Sequence, residues 1–512
     1  MEREQNMKTN GLLEKVDRSE QRPVAGWFLL LTVCAVGIGG TFQYGYNLSF
    51  INAPTMHIQK FVNESWLENR GTQLESWTIT LIWSIIVSVY PLGGFIGALI
   101  AGPMAVRLGR KKSLLINNLF VVLSAILCGF SRYASSFEMI ILGRVLSGVN
   151  SGVSMNIQPM YLGESAPRHL RGTVALSSAV FTALGLVLGQ VVGLREILGS
   201  EEFWPLLLAS NVVPAILQLL FLPWLPESPR YLLIDLNDKD SCVQALQRLR
   251  GKCDFSIELE EMMAEQAAMK GQSPKGLFDV VRDPCLRKQL LIILVLSSAM
   301  QLCGNDSMYF YASYIFAAAG IPYEKIQYVV IGTGSCELLT SITSTMFIDR
   351  IGRRVLVIGG YSLMSVWAVV FMVALSYQAQ VSWIPYLSMV CIFSYILSFG
   401  IGPAGVTGLI PSEIYDHMAR PAAYMIYGSL MWIMLFVTGL AFPFIVQGLG
   451  HFCFIPFLIV CVSTALYVGF FLPETKGKSI LEITEAFTNH RAKPHHAENG
   501  YRGPQEIQST SL

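Results

Sequence analysis

Acids and arginines recur at fixed spacing along the edges of apolar stretches, and two further acids lie inside such stretches. Glu164, Arg171, Glu227, Arg230, Asp349, Arg353, Arg354, Glu413, Arg420 and Glu474 all fall at edges. An acid and an arginine within reach form bidentate, charge-assisted hydrogen bonds. A set of such pairs, each worth about 0–1 kcal/mol when exposed, suits contacts that must form and break. The competing reading makes the arginines simple interfacial anchors; the recurrence of the acid–Arg spacing favours a gate. Asp306 and Glu337 are different. An acid at the centre of an apolar helix costs about 2.5–3.5 kcal/mol on insertion scales, so each is expected to face an internal cavity. There it binds a polar solute or a proton, or the two acids hydrogen-bond to each other. Covalent chemistry is not indicated: no nucleophile–base constellation or phosphate loop appears, so no catalytic residue and no enzyme is expected. The ten cysteines include no CxxC or CxxH spacing, so neither a metal site nor a cofactor is expected.

The elements that position these residues are membrane helices. Of 512 residues, 14% are charged, against roughly 25% in soluble proteins, and 53% are apolar or aromatic. The net charge of +1 and the lack of basic runs with interleaved aromatics exclude a nucleic-acid partner. Twelve stretches approach or exceed the ~20 residues needed to cross a bilayer. They are 26–47, 79–105, 114–130, 140–161, 173–194, 205–225, 290–319, 328–347, 355–376, 385–411, 422–446 and 452–472. All must be helices, because lipid leaves an open sheet edge without partners. The fold class is therefore all-α: twelve spans in two six-helix halves. The divisions are a cytoplasmic tail 1–24, a first bundle 25–225, a cytoplasmic helical linker 226–287, a second bundle 288–475 and a tail 476–512. Short loops on one side carry ten Lys/Arg and those on the other carry five, which puts both termini inside. Asn63-Glu64-Ser65 then lies in the first outer loop as a glycosylation sequon.

The halves repeat each other. Gly109-Arg110-Lys111 returns as Gly352-Arg353-Arg354, Glu164 with Arg171 as Glu413 with Arg420, and Pro226-Glu227-Ser228 as Pro473-Glu474-Thr475, at offsets of 243, 249 and 247 residues. A duplicated six-helix unit with a site between its halves is the physical expectation for a transporter.

Pro226-Glu227-Ser228-Pro229-Arg230, Pro473-Glu474-Thr475-Lys476-Gly477, Asp349-Arg350-Ile351-Gly352-Arg353-Arg354 and Gly143-Arg144 together resemble the sugar porters of the major facilitator superfamily. Phe42-Gln43-Tyr44-Gly45-Tyr46-Asn47, Ile51-Asn52-Ala53-Pro54 and Arg420-Pro421-Ala422-Ala423 narrow the resemblance to the animal facilitative glucose transporters. It covers roughly residues 25–485 and implies the major facilitator fold and hexose uniport by alternating access. It also implies sugar contacts at Gln190, Gln301 and Trp432, with Tyr44 and Asn52 lining the first span. Each has a plainer reading as a polar residue bonded to a neighbouring helix, worth roughly 0.6 kcal/mol. Arg144 is grouped with the inner gate. Gly402, Pro403 and Gly405 interrupt the tenth span and are expected to form a hinge for outer opening, with close helix packing as the alternative.

Departures from the family pattern concentrate near the site. Met300, Asp306 and Glu337 stand where the family has amides, and Gly408 where glucose-selective members have a tryptophan. Glucose and fructose both stay open as substrates. A proton-coupled sugar symporter using Asp306 or Glu337, and a transport-poor sugar sensor, are the alternatives. The plasma membrane is the expected location, with intracellular vesicles as the alternative. Thr510-Ser511-Leu512 fits a carboxyl-terminal ligand for a PDZ domain. Hexose and the lipid bilayer are the other partners indicated.

Overall fold

The computed structural model describes residues 27–167, 170–251, 255–269, 277–284, 286–415, 419–476, 478 and 482–483. The carboxyl-terminal Thr510-Ser511-Leu512 and the two terminal tails lie outside them. Every expected span coincides with helix. In order they are Trp27–Asn52, Ser76–Leu108, Arg110–Phe130, Glu138–Ser165, Arg171–Val192 and Trp204–Trp224 in the first half. Arg287–Ala318, Tyr323–Ile351, Arg353–Tyr377, Ile384–Thr407, Arg420–Phe452 and Ile455–Phe471 form the second. Eight of these are long and apolar enough to be recognised as spans on those two properties alone. The fourth span, Glu138–Ser165, is too polar to join them. Its Arg144, Asn150, Ser151, Ser154 and Gln158 are buried inside the bundle and not turned to lipid.

Each half packs in the same pattern. The first span lies on the fifth as the seventh lies on the eleventh. The second and third lie on the fourth as the eighth and ninth lie on the tenth. The halves meet where the second span crosses the eleventh and the fifth crosses the eighth. Close backbone approach sets the second–fourth crossing: a Cβ on Gly148 would meet the Tyr90 carbonyl, and one on Gly152 the Gly94 carbonyl. Without a hydrophobic drive between helices in lipid, such small-residue contacts supply the packing.

Four of the described spans break: the first, the sixth between Ala209 and Val212, the seventh and the tenth. The first interrupts at Gly40, where Gln158 accepts from the Thr41 N–H and donates to Thr41 Oγ1 at 3.1 Å. The seventh stops at Leu302 and restarts at Asn305, with Gly304 at φ +82°, a left-handed value that favours glycine. Tyr395 OH donates to the freed Cys303 carbonyl at 2.6 Å. The tenth passes through a wide turn over Gly400–Ala404 that contains Pro403. Gly402 packs there against Leu356 and Gly360 of the ninth span, so close helix packing is present at the expected hinge.

Between the halves, helices Lys239–Arg250, Ser256–Met269 and Leu277–Arg282 follow one another. Arg250 holds the first two together, donating to both oxygens of Glu258 at 3.0 and 2.7 Å. It also fastens them to the inner end of the fourth span through the Ser165 carbonyl at 2.7 Å.

Candidate functional site

The inner ends show one arrangement built twice. Gly109 (φ +87°) and Gly352 (φ +106°) precede the third and ninth spans and leave room for a carboxylate over each helix N-terminus. Glu227 accepts from the backbone N–H of Arg110 and Lys111 at 3.0 and 2.9 Å. Glu474 accepts from those of Arg353 and Arg354 at 2.9 and 3.1 Å. Both glutamates thus cap a distant helix, satisfying orphan donors and the helix dipole. Arg110 then reaches Glu164 at 3.0 Å and Asp235 at 2.7 Å, and Arg353 reaches Glu413 at 2.9 Å. Ser228 and Thr475 donate to the same Glu164 and Glu413.

The described pairs Arg110–Glu164 and Arg353–Glu413 each lie inside one half. Arg420 donates to the Tyr415 carbonyl at 3.3 Å, Arg230 is half-buried, and the side chains of Arg171 and Asp349 lie outside the described residues. Arg110 and Asp235 were missed as partners, although the match of Gly109-Arg110 with Gly352-Arg353 carried the signal. Arg144 does not belong to this cluster. It sits twenty residues before Glu164 on one helix, about 30 Å along its axis. There its guanidinium is buried, donates to the Asn47 carbonyl at 3.0 Å and lies 4.5 Å over the Tyr90 ring.

The other proposed residues fall along a polar seam between the halves. On the seventh span Asp306 and Ser313 reach partners in the first half, while Tyr309 reaches the eighth span. Tyr44 OH donates to Asp306 Oδ2 at 3.1 Å, across the halves. Tyr309 OH donates to Glu337 Oε2 at 3.0 Å. One turn outward on the eighth span, Thr333 Oγ1 accepts from Gln190 Nε2 at 3.0 Å. Further out, Asn52 Nδ2 donates to Ser313 Oγ at 3.0 Å while Ser313 N–H donates back to Asn52 Oδ1 at 3.1 Å. The two acids are therefore each bonded to a tyrosine.

The remaining members sit to either side. Trp432 is 1% exposed. Its ring lies edge-on to Tyr44 at 5.5 Å and to Tyr90 at 6.3 Å, and packs on Gly94. Its face is covered by the first half. Gln301 is buried beside the break in the seventh span, with Oε1 unpartnered. Gln190 and Asn52 line a small outer pocket with His57, Arg195, Ser313 and Gln327. Over that pocket Arg195 donates to the Tyr323 carbonyl at 3.2 Å and stacks 4.7 Å over its ring. Tyr328 OH donates to Glu196 at 2.7 Å, and Gln59 donates to Tyr314 OH at 3.0 Å. These bonds join the two halves over the pocket, a latch at this end of the bundle. Their residues gave no sequence signal, being ordinary loop polar groups. Burial in the pocket holds the His57 imidazole below its ordinary pKa; Glu201 opposes this, and Lys60 and Arg195 reinforce it. Asn63 lies half-buried on the outer helix Thr55–Arg70.

The chain matches the family model described as "Sugar (and other) transporter" over residues 32–487. It is 60% identical over 497 residues to the Homo sapiens solute carrier family 2, facilitated glucose transporter member 11, covering 97% of this chain and 100% of that one. It is 41% identical over 476 residues to the Homo sapiens member 5, covering 93% and 95%. A structure of the E. coli xylose transporter XylE in a partially occluded inward-open conformation aligns with a TM-score of 0.73. That alignment has 21% identity and covers 89% of this chain and 100% of that one, a likeness of fold.

Proposed function

Because the chain belongs to the sugar transporter family, we propose that it carries hexoses down their gradient by alternating access. The relatives named as facilitated glucose transporters support this. The polar seam carries it: amides, hydroxyls and an indole from facing helices meet between the halves. A hexose offers hydroxyls that replace the bonds between Gln190 and Thr333 and between Asn52 and Ser313. Exchanging one hydrogen bond for another changes free energy by only about 0.5–1.5 kcal/mol each. The sugar thereby frees the latch without trapping itself. In this reading Gln190, Gln301, Asn52, Tyr44 and Trp432 contact the sugar, with Asp306 and Glu337 beside it. The inner clusters of Glu164, Arg171, Glu227, Arg230, Asp349, Arg353, Arg354, Glu413, Arg420 and Glu474 rearrange when the inner side closes. Gly402, Pro403 and Gly405 bend when the outer side opens.

The protein is a multi-pass membrane protein. The basic bias of the loops 107–112, 168–171 and 350–354 supports cytoplasmic termini. Residence in the plasma membrane, a glycan on Asn63 and a PDZ partner at Thr510-Ser511-Leu512 belong to the same proposal. A second reading, proton-coupled symport, draws on Asp306 and Glu337, whose described partners are neutral.

Uptake of labelled glucose and fructose into liposomes holding the purified protein separates the readings. Equilibration without accumulation, with or without an inward proton gradient, is the expected result. Accumulation driven by the gradient establishes the symporter. No uptake of either sugar by folded protein overturns hexose transport.

A further inference from the structure

Met300 and Gly408 both depart from the family pattern, lie on different spans and meet one side chain. Tyr427 of the eleventh span donates its hydroxyl to Met300 Sδ at 3.2 Å. Among the described residues, that hydroxyl is also the one neighbour within 4 Å that a Cβ on Gly408 would meet, at 3.9 Å. Ser297 Oγ donates to the Tyr427 carbonyl at 2.7 Å, which pins the seventh span to the eleventh at this turn. One turn earlier, Tyr424 OH donates to the Gly408 carbonyl at 3.1 Å.

The backbone does not require glycine at 408. Its φ of −68° and ψ of −18° are right-handed helical values open to any residue. Packing does not require it either, unlike Gly402, which lies against the Leu356 carbonyl. The missing side chain therefore leaves space, and the Tyr427 phenol borders it. The phenol is also weakly held, because a thioether is a poor acceptor. A hydroxyl oxygen of a ligand is a better one. Met300 adjoins Gln301, whose buried Oε1 is unpartnered, and Asp306 lies close enough for its charge to act on the phenol. Tyr427 sits five residues nearer the inner end of its helix than Trp432, about 7.5 Å along the axis.

We propose that Tyr427 is a further sugar-contacting residue: its hydroxyl exchanges Met300 for a hexose hydroxyl, and its ring walls the inner side of the site across the space at Gly408. The inference rests on the hexose-transport reading and deepens it. The wall comes from the eleventh span, where the tenth offers no side chain.

Uptake of labelled glucose and fructose is measured in liposomes holding the purified protein, with KM and kcat read for each sugar carried. Tyr427→Phe keeps the ring and loses the hydroxyl. Its KM is expected to rise about 2- to 12-fold with kcat unchanged, as for one lost hydrogen bond to bound sugar. Met300→Leu removes the thioether and is expected to leave KM at the wild-type value or below it. A bond that served only to strap the two spans together would make these variants behave alike, so equal rises in KM overturn the proposal. Gly408→Trp is expected to lose most uptake, because its ring enters the space beside the phenol, and adding Tyr427→Ala is expected to restore it. A single variant as active as the wild type, or a folded double variant no better than the single one, overturns the proposal. If Gly408→Trp or the double variant does not fold, the contrast between Tyr427→Phe and Met300→Leu decides alone. Wild-type hexose uptake with an unchanged KM in folded Tyr427→Phe overturns this proposal and leaves hexose transport standing. Folded wild type that moves neither sugar overturns both.

Discussion

The outer latch makes a quantitative prediction at Asn52. Its amide exchanges two hydrogen bonds with Ser313, one to the hydroxyl and one from the backbone N–H, and both join the halves only when the outer side is closed. Opening gives both partners to water, so each bond contributes about 0.5–1.5 kcal/mol to the closed form. Asn52→Ala therefore destabilises that form by about 1–3 kcal/mol, and the ratio of open to closed rises about 5- to 150-fold. Ser313→Ala keeps the backbone bond and loses the hydroxyl, so its shift is about 2- to 12-fold. Val330 is buried and lines the pocket beneath the latch, which makes Val330→Cys a reporter. An impermeant thiol reagent applied outside reads the open fraction through its labelling rate while that fraction is small. The expected order is Asn52→Ala fastest, Ser313→Ala intermediate, reporter alone slowest. Equal rates in all three, from proteins with equal surface levels, would refute the latch.

Two further predictions come from the ends of the spans. Glu474→Ala removes the cap from the ninth span, a loss of about 1–3 kcal/mol from cap and dipole together, and lowers the thermal unfolding midpoint in lipid nanodiscs; Glu474→Gln, which keeps an acceptor oxygen, falls between it and the wild type. An alanine variant that melts with the wild type contradicts the capping role. His57 has its pKa lowered by burial under the closed latch, so closing releases a proton and opening takes one up. Acidifying the outside through about pH 6.5 thus favours the open form, with no effect well above that range, and His57→Gln abolishes the response. Labelling of Val330→Cys at several pH values, divided by that of the His57→Gln background, checks the sign.

Much of the architecture was legible because hydropathy and repetition are local properties. The spans follow from apolar length, and the duplication from motifs about 245 residues apart. Glu227 and Glu474 stood out at once, yet their work as caps did not, because a cap's donors lie over a hundred residues away in the chain. Arg144 misled for the opposite reason. Its charge resembles that of the inner arginines, whereas its place on the fourth span buries it among Asn47, Phe50 and Tyr90.

By itself the sequence determined that the chain lives in a bilayer, that it is built twice, and which polar residues the membrane must shelter. Those outcomes depend on the cost of exposing polar groups to lipid, which each stretch incurs independently of its neighbours. Only the tertiary structure decided the pairings. It matched Arg110 with Glu164 inside one half, Tyr44 with Asp306 across the halves, and Asn52 with Ser313 in a latch. Hydrogen bonds act over about 3 Å, and which groups come that close is set by how twelve helices cross, a property no single stretch contains.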